Sequence, residues 1–423
     1  MDHIVSSRPI RIGIAAFTLV VCAFYVYVVY SVWRADWLRG RIDRGSLEAS
    51  ARLQPWSAQT QRLLGRYSLN VTQDYAAALT FLLRAIELDP YDGHCWLDLA
   101  ELRQVRGEND ESQTALDRAL RAEPTSTEIA WEAANFYLVQ NDAERALPLF
   151  RAAIKYDPSN TAAAIDLTWR ATKNVSQIVS QVLPAQPAPY FTFLKALTAQ
   201  NQSSSASELW HDLVAQGFSF PVEEAFPYFD YLLQSQQIDQ ARHVWTDLSK
   251  VHPEVRDDIA LNLVYNGGFE TDFLNGGFDW RSQPAGQIKC SLDTNQFHSG
   301  NRSLRIEFTG PAVSDVGVYQ YVPVQPSNAY RLIAFVRTEE LTTASGPRLV
   351  VEESSTRNTL GTTEEFLDTS SWMSHTAEFV TGPDTHLVTL RILRVPGNLL
   401  VKGTLWLDDI ELTRLSSAQR AKP

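Results

Sequence analysis

Cysteine is scarce in this chain of 423 residues, which holds three, at Cys22, Cys95 and Cys290. Their spacing matches neither a metal-binding motif nor a disulfide framework. Catalytic motifs are missing as well: there is no phosphate-binding loop, HExxH helix, GxSxG turn or CxxC pair. The eight histidines are scattered, with none at the spacing of a helical metal site. We therefore expect a protein that is not an enzyme.

Acidic residues outnumber basic residues in the chain beyond the N-terminal region. The net charge of −12 divides into +3 for residues 1–45, −11 for residues 46–258 and −4 for residues 259–423. Proteins that bind nucleic acid neutralise phosphates with clustered Lys and Arg side chains. The acidic middle and end of the chain therefore argue against nucleic acid as a partner.

One long apolar run is present, from Ile12 to Trp33, and it carries no charged residue. As a helix, its 22 residues would span about 33 Å, enough for the hydrocarbon core of a bilayer. Tyr25, Tyr27 and Tyr30 gather in its second half, as in an interfacial aromatic belt. A cleaved signal peptide is the alternative, but the run is long for one and no small-residue cleavage site follows it. The sequence predicts a transmembrane helix.

A repeat of 34 residues follows this helix. The segments AIELDP, ALRAEP and AIKYDP end at Pro90, Pro124 and Pro158, at two equal intervals of 34 residues. This is the tetratricopeptide period, and each proline closes the second helix of a pair. Small residues recur where paired helices must approach closely: Ala78, Ala85, Ala100, Ala119, Ala134 and Ala153. The segment 58–158 thus resembles tetratricopeptide repeats.

The repeat becomes irregular over residues 159–225, where VLPAQPAP interrupts it, and a further unit follows at 226–253. We read residues 58–258 as one α-solenoid, a fold whose concave face usually binds a peptide or another protein. Four tryptophans are expected in the core between repeats. They are Trp96, Trp131, Trp210 and Trp245.

The hydrophobic period changes after residue 258. In SLRIEFTG the apolar residues Leu304, Ile306 and Phe308 alternate with Arg305 and Glu307, as in a half-buried strand. Six further segments of this kind are separated by Gly, Pro and Asn. Many short strands without a long helix predict an antiparallel β-sandwich.

Five motifs in this region share their order and spacing with a known family. They are NGGFE at 266–270, FHSGNRSLRI at 297–306, AYRLIAFVRT at 329–338, SSWMSHTAEFVTG at 370–382 and LWLDDIEL at 405–412. Residues 261–415 resemble a carbohydrate-binding module of the galactose-binding-like jelly-roll type. The resemblance implies a jelly-roll sandwich whose first motif meets its last strand in space.

The resemblance also implies a structural calcium site. Glu270 matches one ligand position of the family, and Asp408 or Asp409 matches the other. Carboxylate oxygens are the hard ligands that calcium prefers. The alternative is that these side chains are solvated or cap a turn. A second NGGF unit, Asn275 to Phe278, matches no ligand position and is predicted to be a plain turn.

Glycan binding in the resembling family uses aromatic platforms. Tyr319 and Tyr321 lie two apart on one strand face, so they form either a small platform or a packed pair. Trp280 and Trp372 are the other candidates, but both fall where the fold usually places core tryptophans. Many members of the family bind no sugar and serve as docking domains, so both roles stay open.

The sequence therefore predicts a multi-domain protein with an N-terminal transmembrane helix, an α-solenoid and an all-β C-terminal domain. The predicted parts are a tail (1–11), the transmembrane helix (12–33), a juxtamembrane segment (34–57), the solenoid (58–258), the sandwich (259–415) and a tail (416–423). Arginines flank both ends of the apolar run, and their count alone would put the large C-terminal part in the cytoplasm. A carbohydrate-binding domain is of most use outside, so we expect an inner-membrane protein with its C-terminal domains outside the cytoplasm.

The leading hypothesis is a membrane-anchored scaffold or adaptor in envelope or exopolysaccharide assembly. Its solenoid would bind a protein or peptide partner, and its sandwich would bind a polysaccharide or pack on the solenoid. The alternative is an accessory or catalytic component of a carbohydrate-processing enzyme with an unrecognised active site.

Overall fold

The computed structural model describes residues 8–256, 262–284, 286 and 288–415. The predicted boundary at residue 258 and the predicted tail 416–423 lie outside the described residues. The chain divides into two compact units, Met1–Pro189 and Tyr190–Pro423.

The first unit begins with the long helix α1, Arg8–Arg39. Its side chains are exposed from residue 12 to residue 30, whereas Ala35 and Leu38 near its end are buried. There it packs on α2, whose Ser50 hydroxyl donates to the Ala35 carbonyl over 3.0 Å. The stretch Ile12–Arg39 is long and apolar enough to cross a membrane, and a signal sequence near an N-terminus has the same properties.

In the described part of this unit, nine shorter α-helices follow. They are α2 (Arg44–Leu53), α3 (Ala58–Asn70), α4 (Tyr75–Leu88), α5 (Gly93–Val105), α6 (Asn109–Ala122), α7 (Thr127–Val139), α8 (Ala143–Tyr156), α9 (Thr161–Thr172) and α10 (Val175–Gln181). Most begin at a Ser, Asp or Asn whose side chain accepts a hydrogen bond from the first turn, for example Ser57, Asp74 and Ser126. Such caps satisfy backbone N–H groups that have no partner inside the helix.

The predicted repeats are helix pairs, α3 with α4, α5 with α6 and α7 with α8. The alanines of the repeat are at most 2% exposed, so each stands where two helices approach closely. Pro90, Pro124 and Pro158 follow the second helices. The predicted helix pairs of the repeat are thus confirmed, while the bounds 58–258 of the solenoid stay a prediction. Of the four tryptophans expected in the core, Trp210 and Trp245 are buried, whereas Trp96 and Trp131 are only partly buried.

Where the structure describes the second unit, it contains four α-helices, the first of which begins three residues before the boundary, and the β-sandwich. The helices are α11 (Pro187–Ala199), α12 (Ser203–Ala215), α13 (Phe226–Gln234) and α14 (Ile238–Val251). The strands are β1 (Arg281–Ser282), β2 (Ile288–Asp293), β3 (Ser303–Gly310), β4 (Asp315–Pro323), β5 (Ala329–Thr342), β6 (Pro347–Glu353), β7 (Thr359–Thr362), β8 (Asp368–Val380), β9 (Leu387–Arg394) and β10 (Val401–Arg414).

The strands form two five-stranded sheets, in the orders β1-β4-β9-β6-β7 and β2-β3-β10-β5-β8. We call them sheet A and sheet B. The strand pairs are antiparallel, which confirms the predicted sandwich. Alternate residues, such as Leu304, Ile306 and Leu405, point into the core between the sheets, where Phe269 and Trp280 are fully buried.

The last helix pair packs on the sandwich through the second NGGF unit. The Phe278 ring contacts Phe229 of α13 and Trp245 of α14, with ring centroids 4.8 and 5.8 Å apart. Gly277 has φ +59°, and a Cβ there would overlap the Trp245 ring. The segment is a turn, closed by a hydrogen bond from Asp279 N to Gly276 O of 3.1 Å. Gly277 therefore permits the close approach of α14. This contact agrees with the extent of the second compact unit, which includes the last helices as well as the sandwich.

Candidate functional site

Tyr319 and Tyr321 lie on the outer face of sheet A. Burial alternates along β4, so that Val318, Gln320 and Val322 point into the sandwich and the two tyrosines point away from it. Both tyrosines are half-buried. The structure therefore brings together the pair that the sequence singled out as a candidate ligand surface.

The two rings form a packed pair. Their centroids are 5.7 Å apart and their planes meet at 82°, an edge-to-face arrangement. A sugar ring stacks on an aromatic face, so two perpendicular rings cannot form one flat platform. Of the two geometries left open by the sequence, the structure shows the packed pair.

The tyrosines line a groove with a cavity volume of about 310 Å³. Most of the other lining residues are polar or charged, and they come from β4, β6, β9, the turn between β6 and β7 and the residue after β1. They are Gln283, Asp315, Glu352, Glu353, Ser354, Arg357, Thr389 and Arg391. Donors and acceptors beside aromatic rings are the chemistry that recognises a polyhydroxylated ligand.

Arg391 of β9 organises one half of the groove. Its guanidinium lies 5.8 Å from the Tyr319 ring centroid, forms an ion pair with Asp315 and approaches Glu352 to 3.4 Å. These contacts combine a cation–π interaction with two carboxylate partners. Arg391 therefore orients Tyr319 and pairs with both carboxylates, although its single positive charge balances only one of them.

Arg281 of β1 contacts Tyr321 in the same way as Arg391 contacts Tyr319. Its guanidinium lies 5.3 Å from the Tyr321 ring centroid and bonds both carboxylate oxygens of Asp230 on α13, at 3.1 and 2.5 Å. Burial opposes the charge of Arg281, but the Asp230 carboxylate outweighs it, so the pKa of Arg281 is raised. Burial is also the main reason why the pKa of the Tyr321 phenol is raised.

The two tryptophan candidates, Trp280 and Trp372, differ in burial. Trp280 is fully buried in the sandwich core, as expected. Trp372 is only partly buried on β8, where its ring meets His298 edge-on at 5.9 Å, so the expectation that it is a core residue is wrong. The reason is that β8 is an edge strand of sheet B and exposes most of its residues.

Glu270, Asp408 and Asp409 converge although they are far apart in sequence. The three side chains meet beside Gly268, where a Cβ atom would lie within 4 Å of atoms of each of them. The register between β10 and β5 shifts between Asp408 and Glu411, and Asp409 has φ +46°. This bulge lets two consecutive side chains reach the same loop, which a regular strand would not allow.

The three carboxylates hold the loop 298–302. Asp408 Oδ2 accepts from the backbone N–H groups of His298 and Ser299 at 2.7 and 3.1 Å. Glu270 Oε1 accepts from the backbone N–H groups of Asn301 and Arg302 at 2.8 and 3.1 Å. Asp409 faces the His298 ring at 2.6 Å and accepts from the Ser299 hydroxyl at 2.8 Å.

Burial raises the pKa of Asp408 to about 6, an effect that the backbone donors oppose and the neighbouring Asp409 carboxylate adds to. Oxygen ligands suit calcium by type, but a calcium ion needs six to eight of them around one point. Among the described residues, no three His, Cys, Asp or Glu side chains are arranged to hold a metal ion. The described geometry fits a hydrogen-bonded latch, and calcium stays a prediction of the resemblance.

The solenoid carries a second cavity, of about 270 Å³. It is lined mainly by the first helices of three successive pairs, and its charged lining residues are Arg66, Asp98, Glu101, Glu128 and Glu132. Arg62 Nε donates to Asp98 over 2.6 Å. Burial is the first cause of a raised pKa at both Asp98 and Glu101. The cavity is therefore acidic and partly desolvated.

Sequence reasoning missed the Asp230–Arg281 pair and the docking role of the second NGGF unit. Asp230 and Arg281 are 51 residues apart and belong to regions with different periodicities. The one local signal was the repetition of NGGF itself, which a turn alone does not require.

Comparison with known families supports both halves of this description. Residues 97–163 match the tetratricopeptide repeat family, and residues 261–393 match the family described as carbohydrate binding domain. No curated protein matches the chain significantly. The chain therefore combines tetratricopeptide repeats with a C-terminal sandwich of the carbohydrate-binding-module type.

Several solved structures are similar to parts of the chain. A xylan-binding domain from Paenibacillus barcinonensis is 14% identical and covers 36% of this chain and 93% of its own, with a TM-score of 0.24. The module TmCBM61 in complex with β-1,4-galactotriose is 18% identical and covers 36% and 99%, with a TM-score of 0.26. YrrB, a tetratricopeptide repeat protein with an unusual peptide-binding site, is 13% identical and covers 50% and 94%, with a TM-score of 0.26. At these scores the likenesses carry no argument about ligands.

Proposed function

We propose that this chain, in which tetratricopeptide repeats precede a carbohydrate-binding-type sandwich, is a membrane-anchored, non-enzymatic adaptor. The solenoid binds a protein partner, and the groove on sheet A binds a glycan. The observation that carries the glycan half is the Tyr319–Tyr321 pair in a polar groove of about 310 Å³. In this proposal one of the two half-buried tyrosine rings stacks on a sugar ring, and the surrounding carboxylates, amides and guanidinium groups bond its hydroxyls.

Binding without catalysis is favoured by the ion-pair and hydrogen-bond partners of the groove carboxylates. Glycoside hydrolysis uses two carboxyl groups, one of them a proton donor with a raised pKa. Here Asp315 and Glu352 both pair with the Arg391 guanidinium, which holds their oxygens in place as hydrogen-bond acceptors. Glu353, the third acid, has a lowered pKa because the Thr356 and Thr385 hydroxyls donate to it. These acids are suited to accept hydrogen bonds from a glycan.

The protein partner is proposed to present a basic segment to the solenoid. Residues 46–258 have a net charge of −11, and the cavity among α3, α5 and α7 is lined by Asp98, Glu101, Glu128 and Glu132. Asp98 already pairs with Arg62 and Arg66. Lys or Arg side chains of a partner would therefore pair with Glu101, Glu128 and Glu132 and increase the association rate. Binding would therefore weaken as salt concentration rises.

Membrane anchoring by α1 is proposed from its length and its exposed apolar surface. We place the N-terminus in the cytoplasm and the C-terminal domains outside, with a role in envelope or exopolysaccharide assembly. In intact spheroplasts, added protease should then digest the solenoid and the sandwich. Complete protection of both until the membrane is dissolved would reverse the orientation.

A glycan array tests the central part of this proposal. The full-length protein in detergent should bind a subset of oligosaccharides, and the double variant Tyr319→Ala/Tyr321→Ala should lose that signal. Trp372→Ala is the matched control, because it removes a partly exposed aromatic ring from sheet B. Loss of signal in the control with retention in the double variant would place the binding face on sheet B.

A further inference from the structure

Asp230 links the last helix pair to the groove through a short chain of contacts. It lies on α13 and is partly exposed, whereas its partner Arg281 is 8% exposed. The two side chains share a bidentate ion pair, the geometry that fixes a guanidinium most strictly. Arg281 Nη2 also donates to Gly277 O over 3.3 Å, within the turn that contacts α14.

The Arg281 guanidinium then contacts Tyr321, with 5.3 Å between the guanidinium carbon and the ring centroid. Tyr321 meets Tyr319 edge-on, and Tyr319 contacts Arg391. Acid, arginine and tyrosine thus follow one another from α13 across the outer face of sheet A. Since each contact restricts the rotamer of the next side chain, the orientation of the Tyr321 ring depends on α13.

We infer that Asp230 is a positioning residue for the groove, holding Arg281 against Tyr321, so that the α13–α14 helix pair is a structural part of the glycan site. This inference rests on the proposed glycan function. It distinguishes the chain from a sandwich whose binding face is complete without a neighbouring helix.

The test compares Asp230→Asn, which keeps the shape and removes the charge, with Asp230→Glu, which keeps the carboxylate. Asp239→Asn on α14 is the control, because Asp239 is an exposed acid on the same helix pair. Each full-length variant carries 3-fluorotyrosine at position 321 for fluorine NMR in detergent. Affinity is measured by calorimetry with soluble xylan, β-1,4-galactotriose and the array oligosaccharide that gives the strongest signal.

Asp230→Asn should shift the fluorine resonance at position 321 and weaken glycan affinity by roughly fivefold or more. Asp230→Glu should restore the affinity at least in part, and Asp239→Asn should leave both readouts unchanged. An unmoved resonance in Asp230→Asn overturns the inference, as does a moved resonance with unchanged affinity. If the parent protein binds no glycan, the proposed function fails, while the resonance still decides whether Asp230 positions Tyr321.

Discussion

Asp279 is expected to make the stability of the sandwich depend on pH. Its side chain is fully buried in the turn that packs on α14. Asp279 Oδ2 accepts from Leu274 N over 2.6 Å, while Oδ1 has no partner among the described residues. Burial raises the pKa of this carboxyl to about 7, against an ordinary value of 3.8.

The sign and size of the effect follow from proton binding. Between about pH 4 and pH 7 the folded protein keeps a proton that the unfolded chain releases, so the free energy of unfolding falls as pH rises. A difference of about three units corresponds to about 4 kcal/mol in total, at ~1.4 kcal/mol per unit. Because the unfolded chain has already lost its proton at pH 5.5, about half of this, ~2 kcal/mol, is lost between pH 5.5 and pH 8.

Chemical denaturation of the full-length protein, followed by tryptophan fluorescence, to which Trp245 and Trp280 contribute, measures this loss. Asp279→Asn should remove about 2 kcal/mol of the pH dependence between pH 5.5 and pH 8, since the amide is neutral throughout. Asp384→Asn, at an exposed position, should leave the dependence intact. An identical pH dependence in the parent protein and in Asp279→Asn would refute the reasoning.

Three further predictions concern packing and the carboxylate latch. Ala134→Leu should cost about 1–3 kcal/mol by overpacking a fully buried helix contact, whereas the exposed Ala162→Leu should be nearly neutral in thermal melts. Gly277→Ala should destabilise more than Gly217→Ala: both have positive φ, which alone costs about 1–2 kcal/mol, but only Gly277 faces the Trp245 ring. Equal costs would mean that the ring does not restrict this position. Glu270→Gln should cost only about 1 kcal/mol, because the site is exposed and the amide oxygen can still accept from the two backbone N–H groups. If calcium also binds there, calcium should raise the melting temperature and a chelator should lower it; an unchanged melting temperature refutes the metal.

Much of the fold was predictable because its signals are local and periodic. Three prolines 34 residues apart and alanines at fixed offsets specify helix pairs before any tertiary contact is known. The strand SLRIEFTG was predicted and is observed as β3, Ser303–Gly310, since alternation of apolar residues reports directly which face is buried. Tyr319 and Tyr321 were found for the same reason.

The remaining parts of the site depend on information that no local pattern contains. The convergence of Asp408 and Asp409 needs a bulge, because neighbouring residues on a regular strand point to opposite faces. Whether Trp372 is buried depends on the position of β8 at the edge of sheet B. The Asp230–Arg281 pair joins a helix to a strand, so its geometry exists only after both have folded and packed.

Calorimetric titration with a glycan selected on the array tests the central claim most directly. The parent protein should bind with a defined stoichiometry of one, and Tyr321→Ala should weaken the affinity by roughly tenfold or more, as expected for a buried aromatic contact. Trp372→Ala should bind as the parent does. Equal affinity of the parent and Tyr321→Ala, or loss of binding in Trp372→Ala alone, would contradict the assignment of the glycan site to the groove on sheet A.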